Sequence, residues 1–149
     1  MKTNAIMCDL DGTLSLLNGR NPYKAETCNE DLVNEPVAKL VDSMYSEGCA
    51  IIFLSGREDK YRPQTLEFLG KAVKCAKDWQ HLLYMRETGD YRKDSIVKKE
   101  LFINNVQRKW NVLFVLDDRQ QVVDMWRDEC GLTCFQVAKG DFWWQYITF

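Results

Sequence analysis

The residues best suited to chemistry in this sequence are acidic. Asp9 and Asp11 flank one leucine in Asp9-Leu10-Asp11-Gly12-Thr13. Ser55-Gly56-Arg57 follows a second apolar run, and Asp117-Asp118-Arg119 follows another. Two residues apart on an extended backbone, Asp9 and Asp11 are expected to point the same way. One carboxylate can then attack phosphorus while the other moves protons, and water can hydrolyse the resulting aspartyl-phosphate. Four carboxylates in one place repel each other. A divalent cation held by Asp9, Asp11, Asp117 and Asp118 relieves that repulsion, and an all-oxygen donor set suits Mg²⁺. Turn chemistry also favours Asp and Gly, so D-x-D-G alone equally reads as a capped turn. Three polar motifs at three separate run ends need a further explanation, and a shared site supplies it.

Such motifs converge only if their segments are strands of one sheet. Ala5–Cys8, Ala50–Leu54, Leu82–Met85, Val112–Leu116 and Thr133–Val137 are short and apolar on both faces, as buried parallel strands are. Helical periods lie between them. Val37, Leu40, Val41, Met44 and Tyr45 mark the first, with Asn34 as its cap, Pro36 in its first turn and Gly48 after its end. Leu66, Leu69 and Val73 suggest a second. Ile96, Val97, Leu101 and Val106 suggest a third, capped by Asp94 or Ser95. Val122, Val123, Met125 and Trp126 suggest a fourth, closed by Gly131. The alternation predicts a doubly wound α/β fold with a mostly parallel sheet and helices on both faces. Ligands of such sheets bind outside the carboxyl ends of the strands, where the three motifs lie. Segments 14–35 and 58–80 have room only for loops or a helix, so a minimal cap and an open site are expected.

A chain of 149 residues suits one domain, and a net charge of −2 argues against non-specific binding along nucleic acid. It leaves contact with a single phosphate or a strand end open. No apolar run approaches the roughly 20 residues of a membrane span. The start has no signal-peptide layout, so a cytoplasmic protein is expected. The six cysteines are scattered without a C-x-x-C pair and read as buried free thiols.

The order and spacing of Asp9-x-Asp11-Gly12-Thr13-Leu14, Ser55, a lysine in the 90s and Asp117-Asp118 resemble the haloacid dehalogenase superfamily of phosphohydrolases. A narrower resemblance spans nearly the whole chain. DLDGTLSLLNGRNPY, FLSGRED, RETGDYRKDSIVKKE, LDDRQQVVDMWR and QVAKGDF are similar to the 3′-phosphatase domain of bacteriophage polynucleotide kinase/phosphatase. The resemblance implies one phosphatase domain over residues 1–149. It further implies removal of terminal 3′-phosphates from DNA or RNA ends through a Mg²⁺-assisted aspartyl-phosphate. By position, Asp9 is the expected nucleophile and Asp11 the general acid/base. Arg20, Ser55, Gly56, Arg57, Asp94 and Lys98 are the expected phosphate site, and Asp9, Asp11, Asp117 and Asp118 the metal site. Lys93 lies near enough to compete with Lys98.

No G-x-x-x-x-G-K-[ST] occurs, so no kinase domain is expected in these residues. Nucleic-acid 3′ ends are the expected partners, with a separate kinase or ligase and a homo-oligomer left open, in the host cytoplasm if the source is viral. The alternatives are a small-molecule phosphatase such as a nucleotidase and a non-catalytic module on the same fold. Tyr23, Arg62, Arg86 and Arg92 are candidate strand contacts. The aromatic stretch Phe142–Ile147 reads as packing or interface, and His81 as structural.

Overall fold

In the computed structural model, which describes residues 1–77 and 82–140, strands and helices alternate as the apolar runs predict. The chain runs β1 (Thr3–Cys8), β2 (Ser15–Leu16), β3 (Leu32–Val33), α1 (Glu35–Ser46), β4 (Ala50–Glu58), α2 (Arg62–Ala72), β5 (Leu83–Arg86), α3 (Asp94–Asn105), β6 (Trp110–Asp117), α4 (Gln120–Asp124) and β7 (Cys134–Gln136). Five strands form one parallel sheet in the order β5-β4-β1-β6-β7. From β1 the chain builds outward to β4 and β5, then returns to build β6 and β7 on the other side. The neighbours β1 and β6 therefore bound the switch point of the topology, where an open α/β sheet has its ligand crevice.

Alternation along the strands sets the layers. Ile6, Cys8, Ile51 and Phe53 pack with Val37, Ala38 and Val41 of α1 and Phe68 and Leu69 of α2. Their neighbours Ala5, Met7, Ile52 and Leu54 pack on the opposite face with Phe102 of α3 and Val122 and Val123 of α4. Both faces are thus buried, which is why these strands are apolar throughout. In β6 the register slips: Ala5 lies beside Val112 but Ile6 beside Phe114. The extra residue, Leu113, sends Val112 and Phe114 to opposite faces, Val112 beside Val115 and Phe114 beside Leu116.

Several local expectations are corrected. Segment 14–35 is not only loop: β2 and β3 pair as an antiparallel ribbon. Asn34 does occupy the cap position of α1, but its side chain donates to the Thr13 carbonyl (2.8 Å) instead of capping. The cap position of α3 is Lys93, one residue before Asp94, and Val106 lies just past its end. Beyond α4, Met125–Glu129 widens into a π-turn. The six cysteines are thiols rather than disulfides, and five are buried. His81 and the Phe142–Ile147 stretch lie outside the described residues. Among the described residues no helix is long and apolar enough to cross a membrane.

Phe53, on a strand beside the centre of the sheet, is fully enclosed. Phe53→Ala is expected to cost about 3–5 kcal/mol, measured by urea denaturation.

Candidate active site

The first motif begins where β1 ends. The Asp9 amide donates to the Leu116 carbonyl (3.0 Å), tying the end of β1 to β6. The Leu10 carbonyl then accepts from the amides of Thr13, Leu14 and Ser15, at 3.0, 3.1 and 2.9 Å. This tight turn needs Gly12 at φ +83°, and a Cβ there would overlap the Asp118 carboxylate. The chain turns at Leu10 and again over residues 12–14, with Asp11 bridged to Ser15 between them. The two carboxylates do not share one set of partners: Asp9 meets a lysine and Asp11 meets two arginines.

Asp9, Asp117 and Asp118 are buried, and one oxygen from each lies within 4.8 Å of the others. Thr13 Oγ1 donates within this cluster, lying 3.0 Å from Asp9 Oδ2 and 3.2 Å from Asp118 Oδ1. Lys98, only 2% exposed, lies on the inward side of α3. Its Nζ donates to Asp9 Oδ1 (2.7 Å) and Asp117 Oδ2 (3.2 Å). The π-turn brings the Trp126 indole N–H to the same Asp117 Oδ2 (3.2 Å). The Asp118 amide donates to Asp117 Oδ1 (2.9 Å).

Charge within the cluster is unbalanced, with three carboxylates around one ammonium. Burial, and then the Asp117 charge, pushes the Asp9 carboxyl well above the usual carboxylate range, against the pull of Lys98. Burial raises Asp118 as well. Burial disfavours charge on Lys98, but Asp117, Asp9 and Asp94 outweigh it and push the ammonium well above its ordinary value. A hard divalent cation fits this all-oxygen, anion-rich set. The Asp11 carboxylate lies outside this trio of side chains.

Asp11 belongs to a second network. Arg57 grips it with two prongs, Nε to Oδ2 (3.0 Å) and Nη2 to Oδ1 (2.9 Å), and Arg20 Nη2 adds a third contact (2.8 Å). Burial opposes charge on Asp11, but the two guanidiniums prevail and hold its carboxyl below the ordinary value. Both arginines also bind Asp31: Arg20 by two bonds of 2.7 Å and Arg57 by one of 3.1 Å. Ser15 Oγ bonds Asp31 too, and Thr65 Oγ1 accepts from Arg57 Nη1 (3.2 Å). Asp31, Thr13, Ser15, Thr65 and Trp126 were absent from the sequence-level site. Asp31 lies in an aperiodic segment and Trp126 reads as a core residue, so only their contacts reveal them.

Arg57 reaches this network through a break in the sheet. Ser55 pairs with Met85 and Glu58 with Arg86, so Gly56 and Arg57 bulge from the ladder. A Cβ at Gly56 would overlap Asp94, so glycine lets that carboxylate approach. Arg86 braces the bulge by donating to the Gly56 carbonyl (2.7 Å).

Above these groups lies a cavity of about 410 Å³ lined by Asp9, Asp11, Gly56, Arg57, Lys98 and Asp118 among others. Ser55, Arg20 and Asp117 do not line it. Ser55 Oγ instead accepts from the Arg57 amide (3.1 Å), and Arg20 is engaged by Asp11 and Asp31. Asp94 does line it, but among cations: Arg86 at 3.3 Å and Lys98 and Arg119 each at 3.8 Å. A carboxylate so placed is their counter-charge and offers a phosphate no attraction. Lys93 is exposed on the cavity wall, whereas Lys98 touches Asp9. Arg62 and Arg92 bond neighbouring acids, Asp59 in one case and Asp90 and Glu100 in the other.

Residues 3–142 match the family model described as the polynucleotide kinase PNKP phosphatase domain. The chain belongs to that family of haloacid dehalogenase-type phosphatases. It is 53% identical, at a TM-score of 0.86, to a chain in the solved Pnkp1/Rnl/Hen1 RNA repair complex, with 94% of this chain covered and 44% of that one. It is 33% identical over 139 residues to a protein described as a bifunctional polynucleotide kinase/RNA ligase from Autographa californica nuclear polyhedrosis virus. That match covers 91% of this chain and 19% of the viral protein, so this chain spans only part of the length of these relatives. The class C acid phosphatase of Bacillus anthracis shares the fold, at 17% identity and a TM-score of 0.67 over 93% of this chain and 68% of that one.

Two substitutions test how this PNKP-type phosphatase domain holds its charges. Asp31→Asn removes a buried counter-charge from two arginines and is expected to destabilise the fold by about 3 kcal/mol or more, read from urea denaturation. Trp126→Phe keeps the ring packing on Phe102 but deletes the donor to Asp117. Its divalent-cation affinity is expected to fall roughly tenfold in calorimetric titration, with little change in melting temperature.

Proposed function

We propose that this chain removes terminal 3′-phosphates from nucleic-acid ends, acting over residues 1–149 as one phosphatase domain. The observation that carries the reading is one cavity that presents Asp9, Asp11, Arg57 and Lys98 together, beside three carboxylates able to hold a metal. The family membership and the likeness to a chain of an RNA repair complex support a polynucleotide end as the substrate.

The chemistry follows from the placement. An Asp9 oxygen attacks phosphorus and the bond from phosphorus to the 3′ oxygen breaks. The leaving oxygen takes the electron pair and a proton from Asp11, which must enter the cycle protonated against the pull of Arg57 and Arg20. Asp11 then removes a proton from water, which attacks the aspartyl-phosphate and releases inorganic phosphate. Arg57 and Lys98 supply positive charge to the phosphoryl oxygens. Asp9, Asp117 and Asp118 would hold Mg²⁺, which when bound supplies Lewis-acid stabilisation of phosphoryl charge and offsets the repulsion among the acids.

Among the described residues the loops at 22–25 and 90–93 line the cavity beside β4 and α3 with no cap domain, which suits a polymer end. Kinase or ligase chemistry on the same ends belongs, in this reading, to residues or proteins other than these, with the cytoplasm (the host's, if the source is viral) as the setting. Kinetics on 3′-phosphorylated DNA and RNA oligonucleotides against nucleoside monophosphates test the substrate. The oligonucleotides are expected to win by a wide margin, and preference for mononucleotides would replace this reading with a nucleotidase. Asp9→Asn is expected to drop turnover to background with the fold intact by circular dichroism. EDTA is expected to do the same reversibly, with activity restored by excess Mg²⁺.

A further inference from the structure

Leaving aside the terminal Met1, the two most exposed large apolar-bodied side chains among the described residues are Tyr91 (83%) and Tyr23 (70%), followed by Leu32 (53%). Both tyrosines line the cavity above the carboxylates, although they come from loops far apart in sequence. Scattered exposed apolar residues are ordinary. Two of the most exposed converging on one cavity call for a ligand with flat faces.

The loops that carry them are built to present them. Arg86 donates from Nη1 to the carbonyls of Asp90 (3.1 Å) and Arg92 (2.6 Å), the residues on either side of Tyr91. The Arg92 amide closes a turn over Tyr91 by donating to Asp90 Oδ1 (3.0 Å). Across the cavity lining, the Tyr23 amide donates to Asn21 Oδ1 (2.8 Å), an Asx turn that orients the tyrosine backbone. Each ring is thus held by a hydrogen-bonded loop while its own surface stays open to solvent. Ordering such a site on binding costs little, because the backbone is already in place. The same lining carries Arg92, Lys93 and Arg119. Aromatic faces beside cations are the standard means of holding a single strand.

We infer that Tyr23 and Tyr91 are stacking partners for the bases of the terminal nucleotides, and set the preference for a strand end over a free phosphate ester. This rests on the 3′-phosphatase reading above. Tyr23 and Tyr91 act on binding, not on the reacting atoms.

The test uses a single-stranded 3′-phosphorylated oligonucleotide and a matched one whose last two nucleotides lack bases. Tyr23→Ala and Tyr91→Ala are each expected to raise KM on the first substrate roughly tenfold with kcat little changed, as for loss of one base–aromatic stack. On the abasic substrate the same variants are expected to match wild type. Tyr→Phe at either position is expected to restore the low KM, since the ring rather than the hydroxyl does the stacking. Equal losses on both substrates, or no loss on either, would overturn the inference. The parent reading fails separately, if wild-type protein turns over p-nitrophenyl phosphate but neither oligonucleotide. If wild type cleaves both oligonucleotides with equal KM, base stacking alone is refuted and the 3′-phosphatase reading stands.

Discussion

Burying three carboxylates around one lysine is the constraint on which the rest of this structure depends. Asp9, Asp117 and Asp118 repel one another in a region that water barely reaches. Uncompensated buried charge is among the costliest features a fold can carry. The surroundings answer that cost group by group. Lys98 meets two of the acids, Thr13 donates within the cluster, and the Trp126 indole and the Asp118 amide complete Asp117. What remains is surplus negative charge facing a cavity, which is the electrostatic requirement of a cation site.

The same logic separates the two aspartates of the first motif. A turn closed on the Leu10 carbonyl sends Asp9 toward Lys98 and Asp11 toward Arg57 and Arg20. Their environments differ in sign, and so do their proton affinities: Asp9 lies above the ordinary carboxylate value and Asp11 below it. Two identical side chains two residues apart are thereby given different partners, an ammonium for one and two guanidiniums for the other. Asp31 makes this division possible. It neutralises the arginines from behind, so that two guanidiniums can be buried beside each other.

Irregular backbone does much of the positioning. The bulge at Gly56–Arg57 takes an arginine out of the β4 ladder and into the site. The π-turn after α4 shifts the helix register so that Trp126 reaches Asp117. Arg86 braces both the bulge and the loop that carries Tyr91. The regular sheet supplies rigidity, and its departures from regularity aim the side chains.

The layered α/β architecture was legible from residue order, because strands covered on both faces must be apolar throughout and helices between them must show a 3.6-residue period. So was the convergence of Asp9, Arg57 and Asp117 at one sheet edge, since parallel strands share a carboxyl end. The family resemblance pointed to Lys98, and the geometry separated it from Lys93 by burial against Asp9. Tertiary structure alone decided which charges pair. It placed Asp11 with the arginines rather than with the other three acids, made Asp94 a counter-charge, and enlisted Asp31 and Trp126. The reason is physical: a sequence period reports which face of an element is buried, whereas the partner of a buried charge is set by contacts between segments distant in the chain.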